Sequence, residues 1–383
     1  MMTRGGWRAV PSLAAPVEVA AIDAPRHVSG HPVGDAAFVS ATTGWTALAD
    51  PRRAMSWLLR TEDAGTTWTS QLAWPGNLLG RLRAFDAQRA ALLLGLWPSY
   101  RNGINGKAVA DGEPHYYVLA ATEDGGATWT LGSGPDRQGA GVHFLTARQI
   151  WLSIHVSDPR SPYLSRKDIA RTEDGGATWS RIEGDPDVAV VQVAFSSLAD
   201  GLLIAADLRR ADILYGTIDG GNIWTRHPLT PPPGMPARAE TWLFPVLTPE
   251  VGKMLTLRAV SRRESTSRPR WEGTYGYVRT GDGWSEPYRL PMAPASLGHD
   301  LLAPGPDGRI WGASGTDVWV SDDLAGPWRR QPALLPNEES IADIFPVGDG
   351  VLWLTTAGGV AGGQLYRSDD DGAHWTCLSV ASS

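Results

Sequence analysis

Short apolar runs alternate with turn residues along the whole chain. In the first unit the runs cover 37–40, 44–48, 57–60 and 68–70, and residues of turn-forming type separate them. Runs of this length that are rich in aromatic and β-branched side chains are typical of β-strands. No stretch has a competing helical period. The pattern therefore predicts an all-β chain built from units of four short strands.

A motif, Ser/Thr-x-Asp-x-Gly-x-x-Trp, ends the third strand of each unit and begins the fourth. It has clean copies at 61–68, 122–129, 172–179, 217–224 and 368–375. Two copies are worn, because 321–328 has alanine at the glycine position and 280–284 is shortened. Repetition at a period of this size predicts a repeat architecture.

A second marker keeps step with the first. The six phenylalanines of the chain each precede one motif, and Leu302 takes that place in the remaining unit. The shortest step from a motif tryptophan to the next marker runs from Trp129 to Phe144, and the longest runs from Trp224 to Phe244. The two markers predict a single seven-bladed β-propeller over 17–380. The N-terminal segment 1–16, or else 17–20, is a candidate strand that pairs with the last blade and closes the ring.

The aspartates of the motif are predicted to be structural. An aspartate in a tight turn accepts backbone N–H bonds, and a glycine there permits a positive φ. The tryptophan that follows offers a large face for packing between blades. The aspartates concerned are Asp63, Asp124, Asp174, Asp219, Asp282, Asp323 and Asp370.

These repeats resemble the Asp-box (BNR) propellers over nearly the whole chain. That superfamily includes sialidases, xyloglucanase-type glycosidases, sortilin-type receptors and photosystem assembly factors of the Ycf48 type. The resemblance implies that the Asp boxes lie on turns remote from the ligand face. It is specific for fold and not for function.

Insertions point to the opposite face. The distance from the phenylalanine marker to the motif tryptophan is longest between Phe85 and Trp129 and shortest between Leu302 and Trp328, so extra residues enter between the second and third strands. Long loops are expected at 98–115, 157–167 and 258–270, with shorter ones in the first and fourth units. The candidate binding residues in or beside these loops are Tyr100, Arg101, His115, His155, Arg160, Tyr163, Arg209, Arg262, Arg263 and Arg268.

Composition narrows the partners. The net charge of −7 argues against nucleic acid, and no apolar run approaches membrane-spanning length. The one cysteine, Cys377, excludes a disulfide framework, and no metal or cofactor motif is present. As written, the sequence predicts a cytoplasmic protein, and export stays open if a signal has been trimmed. Arginines gathered on one face predict a non-catalytic binding or assembly module for a protein, a peptide or a small anionic ligand, with carbohydrate as a further class.

An enzyme with its active site in the central funnel is the alternative. A glycoside hydrolase, or a lyase or cyclase of a small metabolite, would draw acid–base groups from Tyr100, His155 and Tyr163. The Arg-Ile-Pro motif of sialidases is absent from the early strand 37–40. The sequence identifies no catalytic residue.

Overall fold

A computed structural model describes the backbone over 8–10, 33–50, 55–75, 80–96, 100–102, 108–110, 116–135, 139–158, 161–182, 189–206, 212–236, 239–248, 252–262, 269–281, 283–291, 302–331, 340–356 and 363–378. All regular elements in these ranges are β-strands. Among these residues there is no helix that is long and apolar enough to cross a membrane.

The strands form seven successive antiparallel sheets. A short N-terminal strand comes first: β1, Arg8–Val10. Blade 1 contains β2 Val33–Phe38, β3 Gly44–Asp50, β4 Met55–Thr61 and β5 Thr69–Pro75. Blade 2 contains β6 Gly80–Ala84, β7 Ala90–Leu96, the inserted hairpin β8 Tyr100–Asn102 and β9 Ala108–Ala110, then β10 Tyr116–Thr122 and β11 Thr130–Ser133. Blade 3 contains β12 Gly139–Phe144, β13 Ile150–Asp158, β14 Ser161–Thr172 and β15 Trp179–Ile182.

The second half of the chain repeats the arrangement. Blade 4 contains β16 Ala189–Phe195, β17 Gly201–Ala206, β18 Asp212–Thr217 and β19 Thr225–Arg226. Blade 5 contains β20 Glu240–Thr248, β21 Gly252–Arg262, β22 Pro269–Thr280, β23 Gly283–Trp284 and β24 Tyr288–Arg289. Blade 6 contains β25 Leu302–Pro304, β26 Ile310–Ser314, β27 Asp317–Ser321 and β28 Arg329–Gln331. Blade 7 contains β29 Ile341–Gly348, β30 Val351–Thr356, β31 Leu365–Ser368 and β32 Thr376–Leu378.

The seven sheets form a β-propeller, as the repeat predicts. The first strand of each blade lies at the axis, because first strands of successive blades contact each other around most of the ring. The second strand of a blade is buried on both faces; β30, for example, is buried along its whole length. Its tryptophan is central to the packing, and Trp45, Trp151, Trp311 and Trp353 are all almost fully buried.

Side chains close the ring between blades 7 and 1. Each described blade is one contiguous stretch of chain, so these two blades share no sheet among their described strands. Phe38 of blade 1 stacks on Trp353 of blade 7 with ring centroids 3.9 Å apart. The boundary between blades 3 and 4 has the same design, with Trp151 stacked on Phe195 at 4.2 Å. The closing boundary is therefore built like an internal one.

The N-terminal strand lies elsewhere than the sequence predicted. Arg8–Val10 pairs with the outer strand of blade 3, with Arg8 opposite Arg181 and Val10 opposite Trp179. The last blade contains four described strands and takes no fifth one. A ring that closes through stacked aromatic side chains does not need a shared strand, and the open edge of β15 can accept one. The alternative strand, 17–20, lies outside the described residues.

Two of the predicted loops are extended hairpins. In blade 3, β13 and β14 pair from Ile150 to Asp158, and only residues 159–160 separate the strands. In blade 5, β21 and β22 pair out to Arg262 opposite Pro269, so the connection shrinks to 263–268. In blade 2 the insertion contains its own small hairpin, β8 with β9. Backbone pairing thus orders much of the inserted chain, which polarity alone had marked as loop.

Candidate functional site

The connections between strands fall on two opposite faces of the ring. In an antiparallel blade, the turn from first to second strand and the turn from third to fourth strand share one face. Backbone bonds join these two turns, for example Gly125 N to Gln88 O at 2.8 Å and Gly175 N to Arg148 O at 3.0 Å. We call this the Asp-box face. The insertions between second and third strands lie on the other face, which we call the insertion face.

The Asp-box turns have a repeated hydrogen-bond geometry. In blade 2, the backbone N–H and the hydroxyl of Thr128 donate to Asp124 at 2.9 and 2.6 Å, and the Thr122 hydroxyl donates to it at 2.9 Å. Together these bonds, led by that from the Thr128 hydroxyl, lower the pKa of Asp124 to about 2. Gly125 and Gly126 both have positive φ, which explains the glycine requirement. The same bonds recur at Asp63 and Asp174.

Two boxes depart from this geometry for local reasons. In blade 6, the residue four beyond Asp323 is Pro327, which has no N–H, and Asp323 accepts a bond from Ala325 N instead. In blade 4, Ile223 stands where other boxes have a hydroxyl, so Asp219 accepts only the backbone bond from that residue. Asp282 of the shortened box lies outside the described residues. The aspartates that are described all serve the turns on the Asp-box face.

Charge is segregated between the two faces. The boxes are acidic beyond their turn aspartates, and the last one contains Asp369, Asp370 and Asp371 in succession. On the insertion face, the blade 5 hairpin 258–270 contains five arginines and one glutamate. An acidic protein thus presents its arginine-rich segments on one side.

The predicted binding residues all belong to the insertion-face segments. The backbone places Tyr100 and Arg101 on β8, His155 on β13 opposite Lys167, and Arg262 at the end of β21. Tyr163 lies on β14 near the tip of the blade 3 hairpin. Five others lie outside the described residues: His115, Arg160, Arg209, Arg263 and Arg268. The structure therefore gives the face on which these residues stand and leaves their side chains as predictions.

A buried carboxylate links the inner strands of blades 1 and 2. Asp35 of β2 accepts the backbone N–H of Leu82 at 2.8 Å and that of Ala36 at 3.0 Å. Burial raises its pKa, against the two backbone bonds and the Arg81 guanidinium, which lower it. Asp35 thus satisfies an edge N–H of the neighbouring inner strand, which is a structural role.

A histidine makes the equivalent link between blades 3 and 4. The Nε2 of His143 donates to the carbonyl oxygen of Phe195 at 2.8 Å in the neutral tautomer. Burial lowers the pKa of His143 to about 4, opposed by this hydrogen bond and assisted by the Arg83 guanidinium. The ring is therefore neutral at pH 7 and acts as a hydrogen-bond donor.

Two arginines stand out on the inner strand of blade 2. Of the inner-strand side chains that the structure describes, Arg81 and Arg83 are the exposed ones. They are two residues apart, so they lie on one side of β6. The sequence analysis missed them because it searched the insertions. The signal was present two and four residues before the Phe85 marker, where other units have apolar or small residues.

The described inner-strand aspartates face different boundaries. Asp35 bonds to blade 2, whereas Asp343 lies on the same side of β29 as Phe345, which packs in the cluster shared by blades 7 and 1. β2 therefore lies between the two carboxyl groups. Within the described part of the axis, they do not form the facing acid pair that glycoside hydrolysis requires. Nor do the described residues contain a cluster of three or more metal-ligating side chains.

Comparisons with known proteins speak to the fold. No protein-family model matches the chain, and no curated protein matches its sequence. Among solved structures it is similar to puromycin hydrolase, with 13% identity and a TM-score of 0.56 over 94% of this chain and 55% of that one. The chain thus spans about half the length of that hydrolase.

Weaker likenesses include two smaller propeller proteins. One is Ycf48 bound to a D1 peptide, at 17% identity and TM-score 0.43, covering 94% of this chain and 88% of that one. Another is the GH93 α-L-arabinofuranosidase of Fusarium graminearum with arabinobiose, at 12% identity and TM-score 0.44, covering 92% and 94%. At the level of fold, the chain is a sialidase-like seven-bladed propeller.

Proposed function

We propose that this protein is a non-catalytic binding or assembly module whose insertion face recognises an anionic or peptide partner. The observation that carries the proposal is the coincidence of three features on one face. The insertions project there, the arginine-rich segments belong to them, and the acidic boxes lie on the opposite face. A rigid ring that displays variable basic segments suits the recognition of carboxylates or phosphates.

The extended hairpins support recognition of an extended chain. The blade 5 hairpin pairs from Gly252 to Arg262, and the blade 3 hairpin pairs from Ile150 to Asp158. Arg258 and Arg262 are four residues apart on β21, so they lie on one side of the strand. Guanidinium groups on a paired strand lose less conformational freedom on binding than those on a loose loop.

The enzyme alternative receives less support from the geometry. Asp35 is engaged by two backbone N–H groups and His143 by a backbone carbonyl. Both groups therefore serve contacts between blades. We favour binding over catalysis because the described axial groups are committed to structure.

The test uses labelled peptides of defined charge. The first variant replaces four arginines of the blade 5 hairpin by alanine: Arg262, Arg263, Arg268 and Arg270. The matched control replaces two arginines of the Asp-box face by alanine: Arg89 and Arg148. Fluorescence anisotropy with a Glu-rich and a Lys-rich peptide should show binding of the acidic peptide alone, weakened at least tenfold in the first variant and unchanged in the control. Thermal unfolding checks that both variants stay folded.

Two outcomes would contradict the proposal. Equal binding of the acidic and basic peptides would show that charge on the insertion face does not select the partner. Unchanged affinity in the first variant, with a loss in the control, would place recognition on the Asp-box face.

A further inference from the structure

The boundary between blades 2 and 3 differs from the other six. At each of the others, described strands of the two blades run in contact near the axis, whereas β6 and β12 stand further apart. The outer part of the same boundary is tight. A Cβ on Gly132 of blade 2 would lie 2.0 Å from the carbonyl oxygen of Gly175, and Trp179 Nε1 donates to Ser133 O at 2.6 Å. The two blades therefore enclose a wedge that opens toward the axis.

The exposed arginines lie on the wall of this wedge. Leu82 packs with Ala37 and Trp45 of blade 1, so the alternation of β6 turns Arg81 and Arg83 toward blade 3. Leu93, which is opposite Arg81 in the ladder, packs against Leu152 of blade 3. The guanidinium groups thus stand above an apolar floor, where charge-assisted hydrogen bonds are stronger than in open water.

The facing wall offers little side-chain bulk. β12 has a bulge between Gly139 and Gly141, at the end of the strand nearest the insertion face. Bulges and glycines within strands mark places where a ligand or another backbone approaches closely. Val142 belongs to the apolar cluster of the floor. The wedge is therefore basic on one side and open on the other.

The charges around the wedge leave a positive excess. Arg81 and Arg83 contribute two positive charges, and Asp35 is the carboxylate whose charge acts on Arg81. The buried Asp168 on the blade 2 side of β14 has Arg181 Nε at 3.6 Å. One positive charge remains, which matches a singly charged carboxylate better than a dianionic phosphate.

We propose that the wedge between blades 2 and 3 is a carboxylate-binding site in which Arg81 and Arg83 hold the anion. The inference rests on the proposed function, because it names the chemical group that a partner on the insertion face would insert. Side-chain carboxylates and chain ends share this chemistry. The small wedge complements the broad arginine-rich hairpins, which contact other parts of the partner.

The test measures binding of acetate to the isolated protein. Saturation-transfer NMR should show a saturable acetate signal that inorganic phosphate displaces less effectively than a second carboxylate does. N-acetylglutamate α-amide and N-acetylalanine, as competitors, distinguish a side-chain carboxylate from a chain end. The variant combining Arg81→Met with Arg83→Met should weaken acetate binding at least tenfold. The control, with Arg89→Met and Arg148→Met, should bind as the parent does.

Phenylglyoxal labelling gives an independent measurement on the unaltered chain. Acetate should slow modification of Arg81 and Arg83 several-fold and leave Arg89 and Arg148 unaffected. An acetate signal that persists in the wedge variant would overturn the proposal, as would protection that is equal at all four arginines. Stronger displacement by phosphate would show that the site takes a dianion.

Failure of this inference and of the proposed function are separable. Acidic peptides that bind the insertion face without any acetate binding in the wedge would leave the module intact and remove the site. Acetate held by Arg81 and Arg83, with no peptide bound under any condition, would do the reverse.

Discussion

At the scale of single residues, two equivalent tryptophans differ in one hydrogen bond. Trp45 and Trp353 both lie on second strands, fully buried, and each has an arginine over its ring, Arg60 and Arg367 respectively. Trp45 Nε1 donates to Gln71 Oε1 at 2.9 Å. Trp353 Nε1 is buried with no partner among the described residues. The repeat thus supplies its own matched pair.

This pair gives a stability prediction. Trp45→Phe leaves the buried oxygen of Gln71 without its donor, whereas Trp353→Phe breaks no bond. We expect Trp45→Phe to lower the free energy of unfolding by about 1 kcal/mol more than Trp353→Phe does. Urea denaturation of the two variants measures the difference. Equal losses would mean that the bond to Gln71 has no net value.

His143 makes stability depend on pH. Its pKa falls from 6.5 to about 4 on folding, so between these values the unfolded chain binds a proton that the folded ring does not. The free energy of unfolding therefore falls as pH drops from 6.5 to 4. We expect His143→Gln, which keeps a donor for Phe195 O but does not titrate, to reduce this fall. Urea midpoints across the range test it, and an identical pH dependence would contradict the assignment.

At the scale of elements, the blade 4 box shows how a repeat tolerates substitution. Clean boxes place an arginine before the motif and an acid after its first residue, as in the ion pair of Arg60 with Glu62 at 2.8 Å. Blade 4 has Gly216 and Ile218 there, and Ile218 is 87% exposed. The turn survives because its backbone bonds remain.

Restoring one side chain should strengthen this turn. Ile223→Thr would add the hydroxyl bond to Asp219 that Thr128 makes to Asp124. We expect a gain of about 1 kcal/mol in the free energy of unfolding. Ile223→Val is the matched control, because it has the shape of threonine without the hydroxyl. Thermal unfolding that ranks valine with threonine would show that shape, rather than the bond, sets stability.

Element positions were largely readable from sequence, whereas element lengths and partners were not. The phenylalanine marker located the inner strands; Phe38 ends β2 and Phe144 ends β12. The polar segment 258–270 concealed a hairpin because strands exposed on both sides have no apolar alternation. The wedge was hidden for a different reason. Its opening depends on the distance between two blades, and that distance leaves no local pattern in the chain.

At the scale of the whole molecule, contiguous blades predict tolerance to circular permutation. A chain opened between blades 6 and 7, within 332–339, with its original ends joined, keeps all seven sheets intact. We expect it to unfold cooperatively within a few degrees of the parent. The control is opened at 51–54, between β3 and β4, and divides blade 1. Circular dichroism on heating compares them, and equal destabilisation would mean that ring closure depends on more than the Phe38–Trp353 stack.

The separation of charge between the two faces makes the ring an electric dipole along its axis. Such a body turns in the field of an acidic partner before any contact forms, so productive encounters are enriched over random collisions. The arginines that would bind the partner thus also aim the molecule, and dissolved salt would slow capture before it loosened the finished complex.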